Sequence, residues 1–411
     1  MSTPTTASSA RTAQGRRPAE YAQRLHTAAR NVLAGADPGA GLAVQRGTDA
    51  LTLLARRMLA GALRRMGAFT APGEGGTPDG LAAALRVADQ HRRLFEALLD
   101  ILVTAGTLRR EGERLVAAYP LRELSRAESD AMVAGLVEEF PTAEPTVRLL
   151  RRCLDAYPEV LTGRRPVAEV LFPDGAGAEP PGAAPGGGAP DSGDVVAAVA
   201  AEAARARLEA ATAVSVVELG SGSGATAART LPALAPFGDR LRYAYTDPSS
   251  RFTEHGRQRF GREYGFTEFT VHDVAVAATS PELPAGGADV LLAANVLHAA
   301  ADPDAALANA AALLRPGGTL VLTEAVSAPE PSIMLFGLTA EWWPQPGAAR
   351  DRLPHAPLLS ADTWRAALAA AGFEEIRVHP LPCGVDEDDA PEAVLVAVRG
   401  APAAPAAPAA A

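Results

Sequence analysis

From Val214 onward, short apolar runs alternate with helical stretches, and this alternation restricts the fold more than any other feature of the chain. VSVVELG, RLRYAYTD, FTEFTVHDV, ADVLLAANVLH and GGTLVLTEAV each have the length and the β-branched or aromatic content of a strand. Helical patterns separate them, and FEEIRVHPL with AVLVAVRG then read as two antiparallel closing strands. Alternating strand and helix units predict an α/β fold, a parallel sheet with helices on both faces. Ligands of such sheets lie outside the carboxyl ends of the strands, so the chemistry is expected there.

The first part of the chain reads differently. Ala50 to Phe69 places Leu51, Leu54, Met58, Leu59, Leu63 and Met66 on one face at helical spacing. Leu94 to Ala118 reads as a helix, a glycine turn and two short β runs around Glu111-Gly112, similar to a winged-helix element. Pro145 to Gly163 reads as a further helix. Next comes PDGAGAEPPGAAPGGGAPDSGD, which has almost no bulky apolar residue and reads as a linker. The expected organisation is a disordered leader over 1–20, a helical domain over 21–172, the linker over 173–194, the α/β domain over 195–400 and a low-complexity tail over 401–411.

Composition removes several chemistries. All 38 cationic side chains are arginine, so no Schiff-base lysine, P-loop lysine or lysine general base is available. Cys153 and Cys383 stand 230 positions apart and no His, Asp and Cys cluster has ligand spacing, so no metal is expected. A reducing cytoplasm fits that cysteine usage. The start lacks the apolar core of a signal peptide, and apolar stretches break off short of a membrane span. The net charge of -10 is uneven, with 23 arginines against 18 acids in residues 1–165 and 15 against 30 in the remainder. A mildly basic first part suits an acidic partner but falls short of the basic stripe of a nucleic-acid binder.

The strongest local signal is Glu218-Leu-Gly220-Ser-Gly222-Ser-Gly224 after VSVV. Glycines there let a turn lie close against a ligand before a helix begins. Asp247 closes the second strand 29 residues after Glu218, where a carboxylate can accept both hydroxyls of a ribose. Asp273-Val274 ends the third strand, where an acid can meet an adenine amino group and the next residue can cover the ring. LLRPGGTLVLTE then supplies a helix end, a Pro-Gly-Gly turn and the fifth strand.

In this order the motifs resemble the class I S-adenosylmethionine-dependent methyltransferases. The resemblance narrows to the C-methyltransferase domains of polyketide synthases and related carrier-linked assembly lines. It is carried by RRCLDAYPEVLTGRRPVAEVLFPDG, VVELGSGSGATAARTLPAL, YTDPSSRFTEHGRQRF, LLAANVLHAA, FGLTAEWWPQ and PLLSADTWRAALAAAGF, collinear from Arg151 to Phe373. It implies a Rossmann-like seven-stranded methyltransferase sheet with a mainly helical N-terminal lid or dimerisation domain. The implied cofactor is S-adenosyl-L-methionine, held by Glu218, Gly220, Gly222, Gly224, Asp247, Asp273, Val274 and Asn295. The implied reaction is C-methylation, in polyketide or related antibiotic biosynthesis, at the α-carbon of a β-ketoacyl or malonyl-type thioester. The thioester is expected on an acidic acyl carrier protein.

His298 lies just past the fourth strand and Glu324 ends the fifth. Adjacent parallel strands lie about 4.8 Å apart, so side chains from their carboxyl ends can share one pocket. A carboxylate on one imidazole nitrogen fixes the tautomer and raises the basicity of the other. By resemblance, His298 and Glu324 match the family's catalytic dyad. Several residues keep a plainer reading beside the functional one. His298 also fits a packed histidine at a helix start, and Asn295 a strand-end cap as well as a cofactor contact. His272 fits the adenine side, whereas His255 and His355 read as surface residues without a partner. Trp342 and Trp343 fit an acyl-pocket floor or plain core, and no role is assigned to Phe172-Pro173 or Arg164-Arg165. The alternatives are an O- or N-methyltransferase, a cyclase using the same cofactor, or a winged-helix regulator.

Overall fold

The computed structural model describes residues 7–35, 38–171, 191–277, 281–343 and 350–401. Residues 1–6 of the expected leader, 173–190 of the expected linker, the Phe172-Pro173 pair and the tail beyond 401 lie outside the described residues. Helix α1 (Ala7–Ala34) occupies the rest of the stretch read as leader. Asp191 and Asp194, at the end of the stretch read as linker, form a capping box that starts a helix instead.

Residues from Pro38 to Leu171 form a helical body. It contains α2 (Pro38–Arg65), α3 (Pro78–Ala84), α4 (Arg92–Thr104), α5 (Arg126–Glu139), α6 (Glu144–Leu161) and α7 (Val167–Leu171). Strands β1 (Gly75–Gly76), β2 (Arg109–Glu111) and β3 (Arg114–Val116) make a small antiparallel sheet in the order β1-β3-β2. Helix α6 shows why the body closes, since Val147, Leu150, Leu154, Tyr157 and Leu161 recur at three- and four-residue spacing and are all buried.

The second unit follows with α8 (Ser192–Leu208), β4 (Val214–Leu219), α9 (Ala225–Leu234), β5 (Leu241–Asp247), α10 (Ser250–Phe260), β6 (Thr267–Val271), β7 (Ala288–Ala294), α11 (Pro303–Leu313) and β8 (Leu314–Ala325). It ends with α12 (Glu330–Phe336), α13 (Ala361–Ala370), β9 (Phe373–Leu381) and β10 (Glu392–Arg399). The sheet has seven strands in the order β6-β5-β4-β7-β8-β10-β9. The first five run parallel, and β10 pairs antiparallel with both β8 and β9. The α/β expectation therefore holds, with each expected strand found. Strand β7 reads ADVLLAA because a central parallel strand is covered on both faces.

The Pro-Gly-Gly segment departs from its reading as a turn. Pro316, Gly317 and Gly318 fall within β8, and the β7–β8 register shifts between Ala288 and Val290 opposite them. The strand absorbs the glycines as a bulge.

Hydrophobic packing crosses the sequence divisions in both directions. Ala22, Leu25 and Ala29 of α1 pack with α8, α9 and one face of the large sheet, while α11 and α13 cover the other. The Tyr21 hydroxyl meets Thr319 Oγ1 on β8 at 2.5 Å, and Arg24 binds Glu202 and Glu209. Conversely, Ile333, Met334 and Leu335 of α12 join the core of the helical body. There the Tyr157 hydroxyl donates to the Met334 carbonyl, and Arg56 grips Glu330 with two hydrogen bonds of 2.7 and 2.6 Å.

No helix among the described residues is long and apolar enough to cross a membrane. Because Leu25 is fully buried against the sheet, Leu25→Ala should destabilise the protein by about 2–5 kcal/mol. Urea unfolding measures this, with Gln23→Ala on the exposed face as the control expected to change little.

Candidate active site

Strand β4 ends at Leu219, and the chain turns through Gly220 to Gly224 into α9. A Cβ on Gly220 would stand 2.5 Å from Val296 Cγ2, so the turn and the segment after β7 are in direct contact. Gly222 has φ 52°, a conformation that side chains disfavour, and a Cβ there would meet only the Gly220 carbonyl oxygen, at 3.9 Å. The turn thus offers bare backbone to a ligand at one point and packs tightly at the other.

Glu218 lies beneath this turn. It is 2% exposed, and its carboxylate accepts the Tyr243 hydroxyl at 2.6 Å and the Ala227 N–H of α9. Burial pushes its carboxyl up to about 7 against the pull of these hydrogen bonds. Glu218, expected as a cofactor contact, has its carboxylate turned instead to the support of the loop.

Asp247, at the end of β5, reaches the front of the turn. One carboxylate oxygen accepts Gly222 N–H at 3.0 Å and the other accepts Ser249 N–H at 2.8 Å. Each oxygen keeps a lone pair for a further donor. Beyond β6, Asp273 is exposed with Oδ1 on Ala275 N–H, and the Val274 carbonyl is held by Asn309 Nδ2 at 2.9 Å. His272 donates its backbone N–H to the Asp247 carbonyl at 3.1 Å, and its buried Nε2 has no hydrogen-bond partner. Glu218, Gly220, Gly222, Gly224 and Asp247 therefore form one framework, which β6 joins through the His272 link to Asp247.

His298 and Glu324 meet as their strand positions predict. Ala294 of β7 pairs with Thr323 of β8, which places the next residues of both strands at one end of the sheet. Glu324 is fully buried, with Oε1 accepting Leu297 N–H at 3.0 Å and Oε2 lying 2.5 Å from His298 Nδ1. A carboxylate acceptor fixes the proton on Nδ1 and leaves Nε2 as the basic nitrogen. Burial opposes a charged imidazole here, but the charge and hydrogen bond of Glu324 outweigh it, so the His298 pKa is raised above its ordinary 6.5.

Asn295 has φ 55°, and its Oδ1 accepts Ala325 N–H at 3.1 Å. Its side chain also bonds Glu392, so the strand-end cap reading describes it. Arg352, which carries no motif in the sequence, donates to the carbonyls of His298 and Ala300 and holds their turn. Tyr243 and Asn309 were likewise missed. Only Tyr243 left a signal, a hydroxyl within an apolar strand.

The remaining candidates take structural roles. Trp342 stacks on Phe336, both tryptophans pack against the helical core, and their indole N–H groups donate to the carbonyls of His355 and Gly337. His355, expected to lack a partner, places Nε2 3.1 Å from Asp100 Oδ2 on α4. His255 is exposed, as expected, and Cys153 is a buried free thiol whose pKa burial pushes up to about 12. Arg164 caps the end of α6 through the Pro158 carbonyl, and Arg165 lies 3.8 Å from Glu169. In the hairpin read as winged-helix-like, Arg109 pairs with Glu111 and Arg110 with Asp100, both at 2.8 Å, while Arg114 donates to the Gly75 carbonyl at 3.0 Å. Among the described residues, no group of three or more His, Cys, Asp or Glu is gathered for a metal.

Comparison with known proteins fits this geometry. Residues 217–320 match a family described as "Methyltransferase domain". Polyketide synthase ThaG of Burkholderia thailandensis is 32% identical over 322 residues, 76% of this chain and 5% of that protein. Polyketide synthase PksM of Bacillus subtilis is 30% identical over 283 residues, 67% of this chain and 7% of that protein. The chain thus spans less than a tenth of the length of these relatives. The crystal structure of the DszA carbon methyltransferase is 30% identical with a TM-score of 0.77, covering 92% of this chain and 95% of that one. For the CurJ carbon methyltransferase the values are 26% and 0.75, with 93% and 99% covered. A likeness over nearly the full length of both chains takes in the helical body as well as the sheet, and the chain belongs to the S-adenosylmethionine-dependent carbon methyltransferases of the polyketide type.

Proposed function

We propose that the protein methylates the α-carbon of a β-ketoacyl or malonyl-type thioester presented on an acyl carrier protein. One observation carries this reading. The free Nε2 belongs to an imidazole fixed on a buried carboxylate, in a segment that touches the glycine turn through Val296 and Gly220.

The residues fit the cofactor. The uncrowded Cα of Gly222, the free lone pairs of Asp247 and the unpartnered Nε2 of His272 are what a bound nucleoside can engage. Asp247 would take the ribose hydroxyls, and Asp273 and Val274 the adenine. When bound, S-adenosylmethionine supplies an electrophilic methyl group on its sulfonium.

His298 Nε2 removes a proton from the acidified α-carbon, and the electron pair moves into the thioester or ketone oxygen as an enolate. Glu324 stabilises the imidazolium so formed, and the enolate carbon is the nucleophile. The proton then leaves through the exposed edge of the ring, 17% of the side chain. An O- or N-acceptor could use the same base, so the position of the new methyl group in the product separates the readings. The helical body over 38–171, together with α12, acts as the lid.

His298→Ala should lower turnover by roughly 10²–10⁴-fold with cofactor affinity unchanged by calorimetry, and mass spectrometry and NMR should show a new C–CH₃ in the wild-type product. Protonation of Nε2 removes the base, so the rate should rise with pH through a midpoint above 6.5. Glu324→Gln removes the charge that raises this midpoint and should move it to lower pH. Asp247→Ala should weaken cofactor binding by roughly 10- to 100-fold. Charge reversal at Arg152, an exposed cation on α6, should raise KM for the carrier-bound substrate only, and equal effects on a free thioester would remove that docking role.

A further inference from the structure

We infer that Arg352 is a positioning residue for His298: its guanidinium fixes the turn that carries the imidazole, and its unneutralised charge acts on the ring against that of Glu324. The inference rests on the reading of His298 as the base.

The geometry is that of a clamp. Arg352 Nη1 donates to the carbonyl of His298 at 2.9 Å and to that of Pro357, and Nη2 donates to the carbonyl of Ala300 at 3.3 Å. A planar guanidinium can span carbonyls spread in this way, whereas an ammonium is a point donor. The neighbouring Arg350 and Arg365 are paired with carboxylates, Asp304 in the first case and Asp362 with Glu387 in the second. Among the described residues, Arg352 has no ion pair and meets only carbonyl dipoles.

The segment bearing Arg352 is itself anchored. Leu353 N–H bonds the Leu358 carbonyl at 2.8 Å, and Ala356 N–H bonds the Leu353 carbonyl at 3.1 Å. Arg350 ties it to α11 at 2.5 Å, and His355 ties it to Asp100 of the helical body at 3.1 Å. The clamp therefore refers the position of the His298 turn to both units.

Charged groups reach His298 from the packed elements as follows. Glu324 comes from β8 and raises its basicity, and Arg352 comes from this segment and lowers it. Glu392 from β10 stands behind Glu324 and bonds Asn295. An imidazole governed by Glu324 alone would stay protonated to higher pH. Arg352 opposes Glu324 in setting how readily the ring gives up its proton, and the deprotonated form is the one a general base requires.

The two functions separate by substitution. Arg352→Gln removes the charge and should raise the midpoint of His298 by about one pH unit, read by NMR of histidine-labelled protein with His298→Gln as the assignment control. Arg352→Lys keeps the charge and loses the fork, and should leave that midpoint near the wild-type value while lowering the plateau kcat by about tenfold or more. Unchanged cofactor affinity by calorimetry in both variants confirms an intact site. A His298 midpoint unmoved in Arg352→Gln, or a wild-type plateau rate in Arg352→Lys, overturns the inference. The reading of His298 as base fails separately, if His298→Gln turns over like the wild type, and the NMR midpoints do not depend on that result.

Discussion

A carboxylate withdrawn completely from water must have its charge and lone pairs met by fixed donors. Glu324 is such a group, and the backbone N–H of Leu297 and the ring of His298 meet it together. The same carboxylate therefore shapes the segment after β7 and selects the tautomer of its histidine. Around that point the other supports fall into place. Asn295 stitches the end of β7 to β8, and Val296 presses on the glycine turn. Site geometry here is a by-product of satisfying one buried charge.

The glycine turn shows the same economy on the cofactor side. Its front is set by Asp247 and its underside by Glu218, two acids from adjacent strands with opposite surroundings. Asp247 is held by the backbone N–H groups of Gly222 and Ser249, and Glu218 is sealed under the turn with Tyr243. Similar side chains thus take different partners, backbone N–H groups in one case and a buried hydroxyl in the other, according to which face of the turn they reach.

The legibility of the sequence follows the range of the interactions involved. The strands declared themselves because parallel interior strands must be apolar along their length, and strand adjacency then brought His298 to Glu324. The glycines of β8 looked like a turn because the bulge that absorbs them depends on β7 across the sheet. Helix α1 was invisible, since ASSARTAQGRRPAEYAQRLHTAARNVLA has a weak apolar face and is held by contacts such as Tyr21 with Thr319. Arg352 could not be singled out among arginines alone. Its partners are backbone carbonyls, which leave no trace in residue identities. The absence of lysine had already excluded amine bases, which left the His298–Glu324 pair at the strand ends as the candidate base, and the two side chains do meet.

The crossing of α1 onto the sheet and of α12 into the helical body bears on where the chain can be divided. Each half lends a segment to the other's core, so a cut placed in the Gly/Pro-rich stretch would strand apolar surface on both sides. The cooperative unit is then the whole laced pair, and a shortened chain keeps both cores only when α1, the helical body and the sheet stay together.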